Sequence, residues 1–508
     1  MHLMPQSYEE KIPAGHLVRL VNEAIEALDL EILLAQYEGG GTSSYHPKMM
    51  LKVLVYAYCK KIYTSRKIAE ALEENIHFMW LSGEQTPDFR TLNDFRGRRM
   101  KGVIEDVFSA VVEQLVAKKY LKLENYFVDG SKVEADANKH KVVWEKRRKR
   151  YEGNVKKQIQ ELLQVIEAEN EKEEAEYGEK DLESKGGNGS GEETAQALKE
   201  TVKALNERLK GERSKATREA FKKLEKDCLP RLEKYEKQEK ILRGRNSYSQ
   251  TDPEASCMRM KEDRGAEKPW PHPAYNVQIG TEGQYVVGYS LHQRAGDPAC
   301  FIPHMEKQHW PEGQKPKAAS GDAAYGSEEN YAYLEANRMK NYLKYNSFYQ
   351  ETHPPRKLER IQKTSFRSEN FPYDPDQDIF TCPAHHPLTY RETRPYRTEN
   401  GYLSERRYYE CSECAACPLK PQCTRAKGNR RIQVSFKLRE FRRQAKENLL
   451  SEQGIALRQQ RCIEPETTFG DVKHNMGFRR FHLRGLEKAE TEWALVCIAH
   501  NLRKLAAI

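Results

Sequence analysis

The sequence predicts an α/β protein of several domains, with helical ends, a mixed core and two insertions. Three observations lead there. Short β-branched and aromatic segments lie around Tyr126-Phe127-Val128, Tyr275 to Ile279 and Tyr285-Val286-Val287, the second alternating with polar residues. Between residues 141 and 250 the composition turns Lys/Glu-rich, with apolar residues recurring at helical spacing. Five of the eleven cysteines fall between Cys382 and Cys423. At 508 residues the chain has room for roughly three domains. Only 38% of residues are hydrophobic and 32% are charged, and mean hydropathy is −0.88. No apolar run approaches the ~20 residues of a spanning helix, which argues against an integral membrane protein.

The segment to about residue 115 reads as helical. Pro47 opens MMLKVLVYAYCKKIY, with Leu51, Leu54, Val55 and Tyr58 at helical spacing. Thr64-Ser65 stands where an N-cap is wanted before RKIAEALEEN. Thr86-Pro87-Asp88 offers a cap, an N1 proline and an early acid for a helix through FRTLNDFRGRRM. That helix carries Arg90, Arg96, Arg98 and Arg99. Short helices with a basic last member fit a helix-turn-helix-like DNA module; an ordinary helical domain with a solvated basic face gives the same pattern.

Residues 121–138 suggest two strands around an Asp129-Gly130 turn. In the Lys/Glu-rich stretch, Val155, Ile159, Leu162 and Ile166 repeat at 4-3-4 spacing, as do Leu198, Val202, Leu205 and Leu209 beyond the Gly-rich stretch at 186–191. Phe221, Leu224, Cys228, Leu232 and Tyr235 extend the pattern. The expectation is an antiparallel coiled-coil hairpin whose arms of ~40 residues reach roughly 60 Å. Its charges alternate in sign, which favours a solvated spacer or dimerising arm over DNA binding. Strand-like segments resume from Ala274 to Gln293, and Asp322 opens a loop before the helix SEENYAYLEANRM. The stretch from 346 to 454 is polar and holds the cysteines; the last 50 residues return to helix, with Trp493, Val496, Cys497, His500 and Leu502 near one face.

The carboxylates of interest are Asp129, Asp322 and either Glu464 or Glu466 in IEPETTFGDVK. An isolated aspartate at a strand end is usually a turn former or cap. Three carboxylates together can hold two Mg²⁺ ions, one activating an attacking oxygen and the other steadying the leaving oxygen. Downstream, Lys473, His474, Arg479, Arg480, His482, Arg484 and Lys488 interleave with Phe478 and Phe481. Such a run clamps a phosphate backbone or forms a solvated basic face. The formal charge of +9, from 85 basic and 76 acidic residues, is modest over this length, so clustering decides. Cys411-x2-Cys414-x2-Cys417-x5-Cys423, preceded by Cys382, offers five thiolates where tetrahedral Zn²⁺ needs four. Cys411 or Cys382 is then the spare ligand; unmetallated thiols and an iron–sulfur cluster are the alternatives. No basic-then-apolar export pattern stands at the amino end, so a reducing cytoplasm is expected.

Six blocks occur in order: YHPKMMLKVLVYAY, TPDFRTLNDFR, VDGSKVEADANKHK, AYNVQIGTE, GDAAYGSEENYAYLE and ETTFGDVKHNMGFRRFHLRGLEKAETEWALVCIAHNLRKL. Together they resemble an insertion-sequence transposase of the DDE superfamily, of the insertion sequence 1182 type, over most of the chain apart from the Lys/Glu arm. The resemblance implies a ribonuclease H-like catalytic core in which two aspartates and a glutamate bind two Mg²⁺ (or Mn²⁺) ions. The aspartates fall on Asp129 and Asp322. The glutamate falls on Glu466, because Lys473 lies seven residues later; the arginine expected four before it is Cys462, with Arg461 one further, so Glu464 stays the alternative. Lys473 and Arg461 are implied phosphate contacts, and Asp136 a lesser candidate ligand.

The resulting division is an N-terminal helical DNA-binding domain over 1–115, a catalytic core over 116–140, 251–345 and 455–508, a coiled-coil insertion over 141–250, and a Cys-rich zinc-knuckle insertion over 346–454. The implied activity is cleavage of the element's ends and joining of their 3′-hydroxyls to target DNA. The partners are then double-stranded DNA, as terminal inverted repeats and as target, and a second copy in a homodimer, with no membrane and a nucleoid-associated site in the cytoplasm. Arg430 and Arg431, with Arg425 and Lys427, would assist repeat recognition. A retired transposase that only binds DNA, and a nuclease that cuts without joining, are the rival classes.

Overall fold

The structure, a computed structural model, describes residues 7–29, 31–35, 45–177, 194–208, 214–265, 270–310, 314–353 and 366–507. The Gly-rich stretch at 186–191 and Leu209 lie outside them. The strands are β1 (Asn125–Glu134), β2 (Val142–Trp144), β3 (Ser247–Ser249), β4 (Ser256–Met258), β5 (His272–Glu282), β6 (Tyr285–His292), β7 (Ala318–Gly321), β8 (Lys340–Leu343), β9 (Tyr373–Asp374), β10 (Ile379–Thr381), β11 (Pro387–Arg397), β12 (Leu403–Cys411) and β13 (Arg431–Val434). The chain forms two compact units. One comprises Met1–Val133, Asn276–Leu483 and Glu487–Ile508; the other comprises Glu134–Tyr275 and Arg484–Leu486.

The first unit carries a mixed sheet in the order β6-β5-β1-β7-β8. β7 runs parallel to both β1 and β8, while β5 and β6 form an antiparallel hairpin. The entry of β1 is pinned by Glu282, whose carboxylate accepts from the main-chain N–H groups of Lys122, Leu123, Glu124 and Asn125 at 2.6 to 3.0 Å. On one face the helices Phe436–Leu450 and Glu452–Arg461 bury Leu449 and Leu457 with Phe127, Ala318 and Tyr342. The expected α/β character is therefore present, with strands central and helices covering them.

One local expectation fails. Asp129-Gly130 is no turn: β1 runs straight through it. The glycine is there for a non-local reason. A Cβ at Gly130 would stand 2.3 Å from Gln278 Nε2 and 2.7 Å from Asp297 Oδ1, so only glycine admits those two side chains against the strand.

A second sheet, in the order β13-β12-β11-β10-β9, encloses Phe371, Phe380, Leu388, Tyr409, Ile432 and Val434. It is tied to the helix Glu328–Ala336 by Glu328, a buried carboxylate accepting from Tyr402 Oη at 3.1 Å, Ser404 Oγ at 2.8 Å and Ser435 Oγ at 2.7 Å.

The amino-terminal helices include Pro47–Cys59, buried on most of its surface, then Ser65–Glu74, Ile76–Ser82 and Phe89–Asp94. Thr64 makes no side-chain cap bond. Asp88, and not Thr86, caps the basic helix by accepting from Thr91 N at 2.7 Å. After Asp94 the helix widens into a π-turn, Phe95–Arg99, and Arg96 lies four residues after buried Leu92, on the inward face. Arg96 is 2% exposed and donates to Tyr63 O at 2.6 Å and Tyr58 Oη at 3.0 Å. The Tyr58 hydroxyl in turn reaches Glu492 at 3.3 Å. Glu492 also accepts from His482 N and Leu483 N at 2.9 and 3.0 Å. This corrects the reading of Arg96 as a DNA contact: its guanidinium is needed inside, joining the amino-terminal helices to the helix Leu486–Leu505.

In the second unit the described residues of the helical insertion form three segments, where the sequence predicts two arms. Glu145–Tyr177, Ala195–Arg208 and the pair Lys215–Lys223 and Leu229–Leu242, joined through a π-turn, share one core. Val155, Ile159, Ile166, Leu198, Val202, Phe221, Leu224, Cys228 and Leu232 all belong to it, so the apolar periodicity is core-forming, while the third segment makes a bundle of what spacing alone reads as a hairpin. Among the described residues no helix is long and apolar enough to cross a membrane.

Two outcomes follow. Removing one partner of a buried charged network leaves the other uncompensated, so Arg96→Ala should cost roughly 3 kcal/mol of stability, read by chemical denaturation without DNA. A drop in DNA affinity with unchanged stability would instead return Arg96 to the DNA surface. Gly130→Ala should destabilise by about 1–3 kcal/mol through overpacking, whereas Gly428→Ala, where an added Cβ meets nothing within 4 Å, should leave stability nearly unchanged.

Candidate active site

The parallel pairing of β1 with β7 aligns Phe127 with Ser320. Asp129 and Asp322 each lie two residues further along, so the two residues stand at the same level just past the paired segment, Asp129 midway along β1 and Asp322 directly after β7. Both are half-buried. Asp322 caps a short 3₁₀ turn, accepting from Ala324 N at 2.8 Å; Asp129 accepts from Gly130 N at 2.8 Å.

A third carboxylate, Asp297, lies against Gly130 of β1, and its spacing in the sequence does not reveal it. Asp297 Oδ1 accepts from Asn276 Nδ2 at 2.8 Å and from Gln278 Nε2 at 3.1 Å. Gln278 Nε2 also donates to Asn276 Oδ1 at 3.0 Å, and its carbonyl receives the Tyr325 hydroxyl proton. Tyr325 is fully buried; burial first, then the charges of Asp297, Asp129 and Asp322, hold its hydroxyl well above the ordinary range. The tyrosine thus registers all three acids at once. In the sequence, Asp297 sits between Gly296 and Pro298 and looks like a turn former. Its polar partners come from β5, which local reading does not reveal.

The two candidate glutamates separate clearly. On the helix Glu464–Gly470 residues two apart point roughly 200° from each other. Glu464 is 3% exposed, and its carboxylate accepts from Gln284 N at 2.6 Å, securing the β5–β6 turn. Burial raises its proton affinity. Glu466 faces the other way and is exposed. The helix then opens into a π-turn, Asp471–Asn475, in which buried Lys473 donates to Lys132 O at 2.9 Å, near the carboxyl end of β1. Lys473 therefore anchors this helix to the strand bearing Asp129.

Carboxylates suit hard divalent cations such as Mg²⁺, and two of them arrive on rigid strands. Among the described residues, however, no three His, Cys, Asp or Glu side chains stand close enough to hold a metal ion as they are placed. That holds for the cysteines too, although Cys382, Cys411, Cys414, Cys417 and Cys423 line one cavity of about 20 Å³. The main-chain N–H of His386 reaches Cys382 Sγ at 3.4 Å, and that of Arg430 reaches Cys414 Sγ at 3.3 Å. Both are donors a thiolate would use.

The predicted DNA contacts divide by exposure. Arg90, Arg98, Arg431, Arg479, Arg480 and Arg484 are exposed. Of these, Arg98 pairs with Asp94 at 2.9 Å and Arg431 with Glu410 at 2.8 Å. Within the second unit, Arg484 pairs with Asp136 at 2.8 Å. Arg99, Arg430 and Arg461 are half-buried, with Arg430 donating to Phe366 O at 3.4 Å. Phe478 and Phe481 are core residues; the basic side chains between and after them are what the surface shows.

Residues 381–506 match the family model described as a transposase DDE domain, and residues 6–98 match that of a transposase domain (DUF772). The first match includes Glu466, Lys473 and the five clustered cysteines; Asp129 and Asp322 lie between the two. Comparisons with curated proteins and with solved structures found no match. Two transposase models, matched in separate stretches of one chain, support a DDE-type transposase.

Proposed function

We propose that this protein is the DNA transposase of a bacterial insertion sequence of the 1182 type. In this reading it binds the element's terminal inverted repeats, cleaves the ends and joins their 3′-hydroxyls to target DNA. The observation that carries the reading is the placement of Asp129 and Asp322 at the same level on neighbouring interior strands of a mixed α/β sheet, which we take as ribonuclease H-like. Asp129, Asp322 and Glu466 would hold two divalent metal ions. When bound, those ions supply Lewis-acid activation of the attacking oxygen and charge neutralisation at the leaving oxygen.

The chain's own part is positioning. Strands fix the two aspartates, and the Glu464 and Lys473 contacts fix the helix that presents Glu466. In-line attack needs reacting atoms held in register, and rigid elements do this better than loops. Asp297, with Asn276 and Gln278, would orient the site from beneath. Holding two ends together calls for a dimer, for which the helical insertion is the candidate contact. The exposed Arg90, Arg98, Arg479 and Arg480 would grip phosphates, and the work would be done on cytoplasmic, nucleoid DNA.

For the cysteines we propose structural Zn²⁺. Five thiols around one cavity, two of them facing main-chain N–H groups, support a knuckle that stiffens the second sheet. Protein purified without added metal should contain about one zinc per chain by elemental analysis; a folded, zinc-free protein removes the knuckle.

The activity is tested with DNA carrying the flanking repeats of the protein's own locus, with Mg²⁺ or EDTA. Nicks at the repeat boundary and joined products should form only with Mg²⁺, and Asp322→Ala should abolish both. Binding without cleavage by the wild type would favour the retired, DNA-binding reading; cleavage without joining would favour a nuclease.

A further inference from the structure

We propose that Lys344, Arg442 and Arg458 extend the phosphate contact implied for Arg461 into a track that leads a DNA strand to the Asp322 side of the acid pair. The proposal rests on the transposase reading and adds a substrate-binding surface to it.

Position comes first. Lys344 follows β8, and its main-chain N–H donates to Gly321 O at 3.3 Å, so it stands beside the residue that precedes Asp322. Arg442, on the helix Phe436–Leu450, lies over the Tyr345 ring at 5.6 Å; Arg458, on Glu452–Arg461, lies over Phe348 at 5.3 Å. The two rings meet edge to face, 5.6 Å apart. Two guanidinium groups thereby lie over adjoining aromatic rings. A ring beneath a guanidinium restricts its position while its outer N–H groups can still meet a phosphate.

Compensation comes second. Neighbouring cations on the same helix are paired: Arg443 with Glu440 and Glu447 at 2.6 Å each, Lys446 with Glu351 at 3.1 Å. Among the described residues, Lys344, Arg442, Arg458 and Arg461 have no carboxylate at ion-pair distance. The Nε atoms of Arg442, Arg458 and Arg461 are buried without a hydrogen-bond partner. Burial, followed by the Arg461 and Arg458 charges, presses Lys344 toward its neutral form, while Asp322 pulls the other way. Half-buried like charges with no carboxylate beside them are unfavourable in the free protein. A strand of phosphates supplies the missing counter-charge.

The test is binding of a short DNA duplex, followed by fluorescence anisotropy across a salt series. Each phosphate contact contributes about 0.9 to the slope of log affinity against log salt. The double variant Lys344→Gln with Arg458→Gln should therefore flatten the slope by about 1.8. Arg443→Gln removes a cation that is already paired and should leave the slope unchanged. Arg458→Lys disturbs the same packing but keeps the charge; it should retain the slope, which separates lost charge from lost folding. A steep wild-type slope matched by the double variant overturns the track and leaves the transposase reading standing. A flat wild-type response overturns the DNA-binding reading itself, and the track with it.

Discussion

The parallel hydrogen-bonded pairing of β1 with β7 is the constraint on which the rest depends. It takes two aspartates almost two hundred residues apart in sequence and sets them at the same level, because each lies two steps past the paired Phe127 and Ser320. Parallel strands require a crossover, and here the crossover includes the helical unit and the β5–β6 hairpin. Glu282 at the entry of β1, and Glu464 at the β5–β6 turn, are buried or main-chain-bonded acids that keep this arrangement in register. Carboxylates near the site thus fall into two kinds: Glu282 and Glu464, whose oxygens bond main-chain N–H groups of distant segments, and Asp129 and Asp322, whose main-chain contacts are with the residues just after them.

The cations divide in the same way. Arg96, buried between Tyr58 and Tyr63, and Lys473, bonded to the main chain of β1, are structural despite sitting in basic runs. The exposed arginines and the uncompensated group around Tyr345 and Phe348 are the ones with capacity for an anionic partner. Net charge alone says little about this; burial and pairing of individual side chains decide it.

Much of the architecture is legible in the sequence because its signals are local. The β-branched run at Tyr126 to Val128, the small residues around Asp322 and the apolar spacing from Val155 onward all specify their own elements. What is not legible is non-local. Asp129-Gly130 has the composition of a turn, and only the packing of Gln278 and Asp297 against Gly130 shows why it is a strand. Asp297 itself looks like a loop residue until β5 supplies its amide partners. Glu464 and Glu466 are ambiguous by spacing but lie on opposite helix faces. Arg96 belongs to a basic helix by pattern, yet Tyr58 and the main chain of Tyr63 hold it in the core. In each case the deciding contact comes from a segment far along the chain.

The claim that matters most is that Asp129 and Asp322 share a divalent metal. It is tested by titrating Mn²⁺ into the protein with bound duplex DNA and following the free ion by electron paramagnetic resonance. The account predicts saturable binding by the wild type, loss of that binding in both Asp129→Asn and Asp322→Asn, and retention of it in Arg443→Gln. Wild-type Mn²⁺ affinity in both aspartate variants would contradict it.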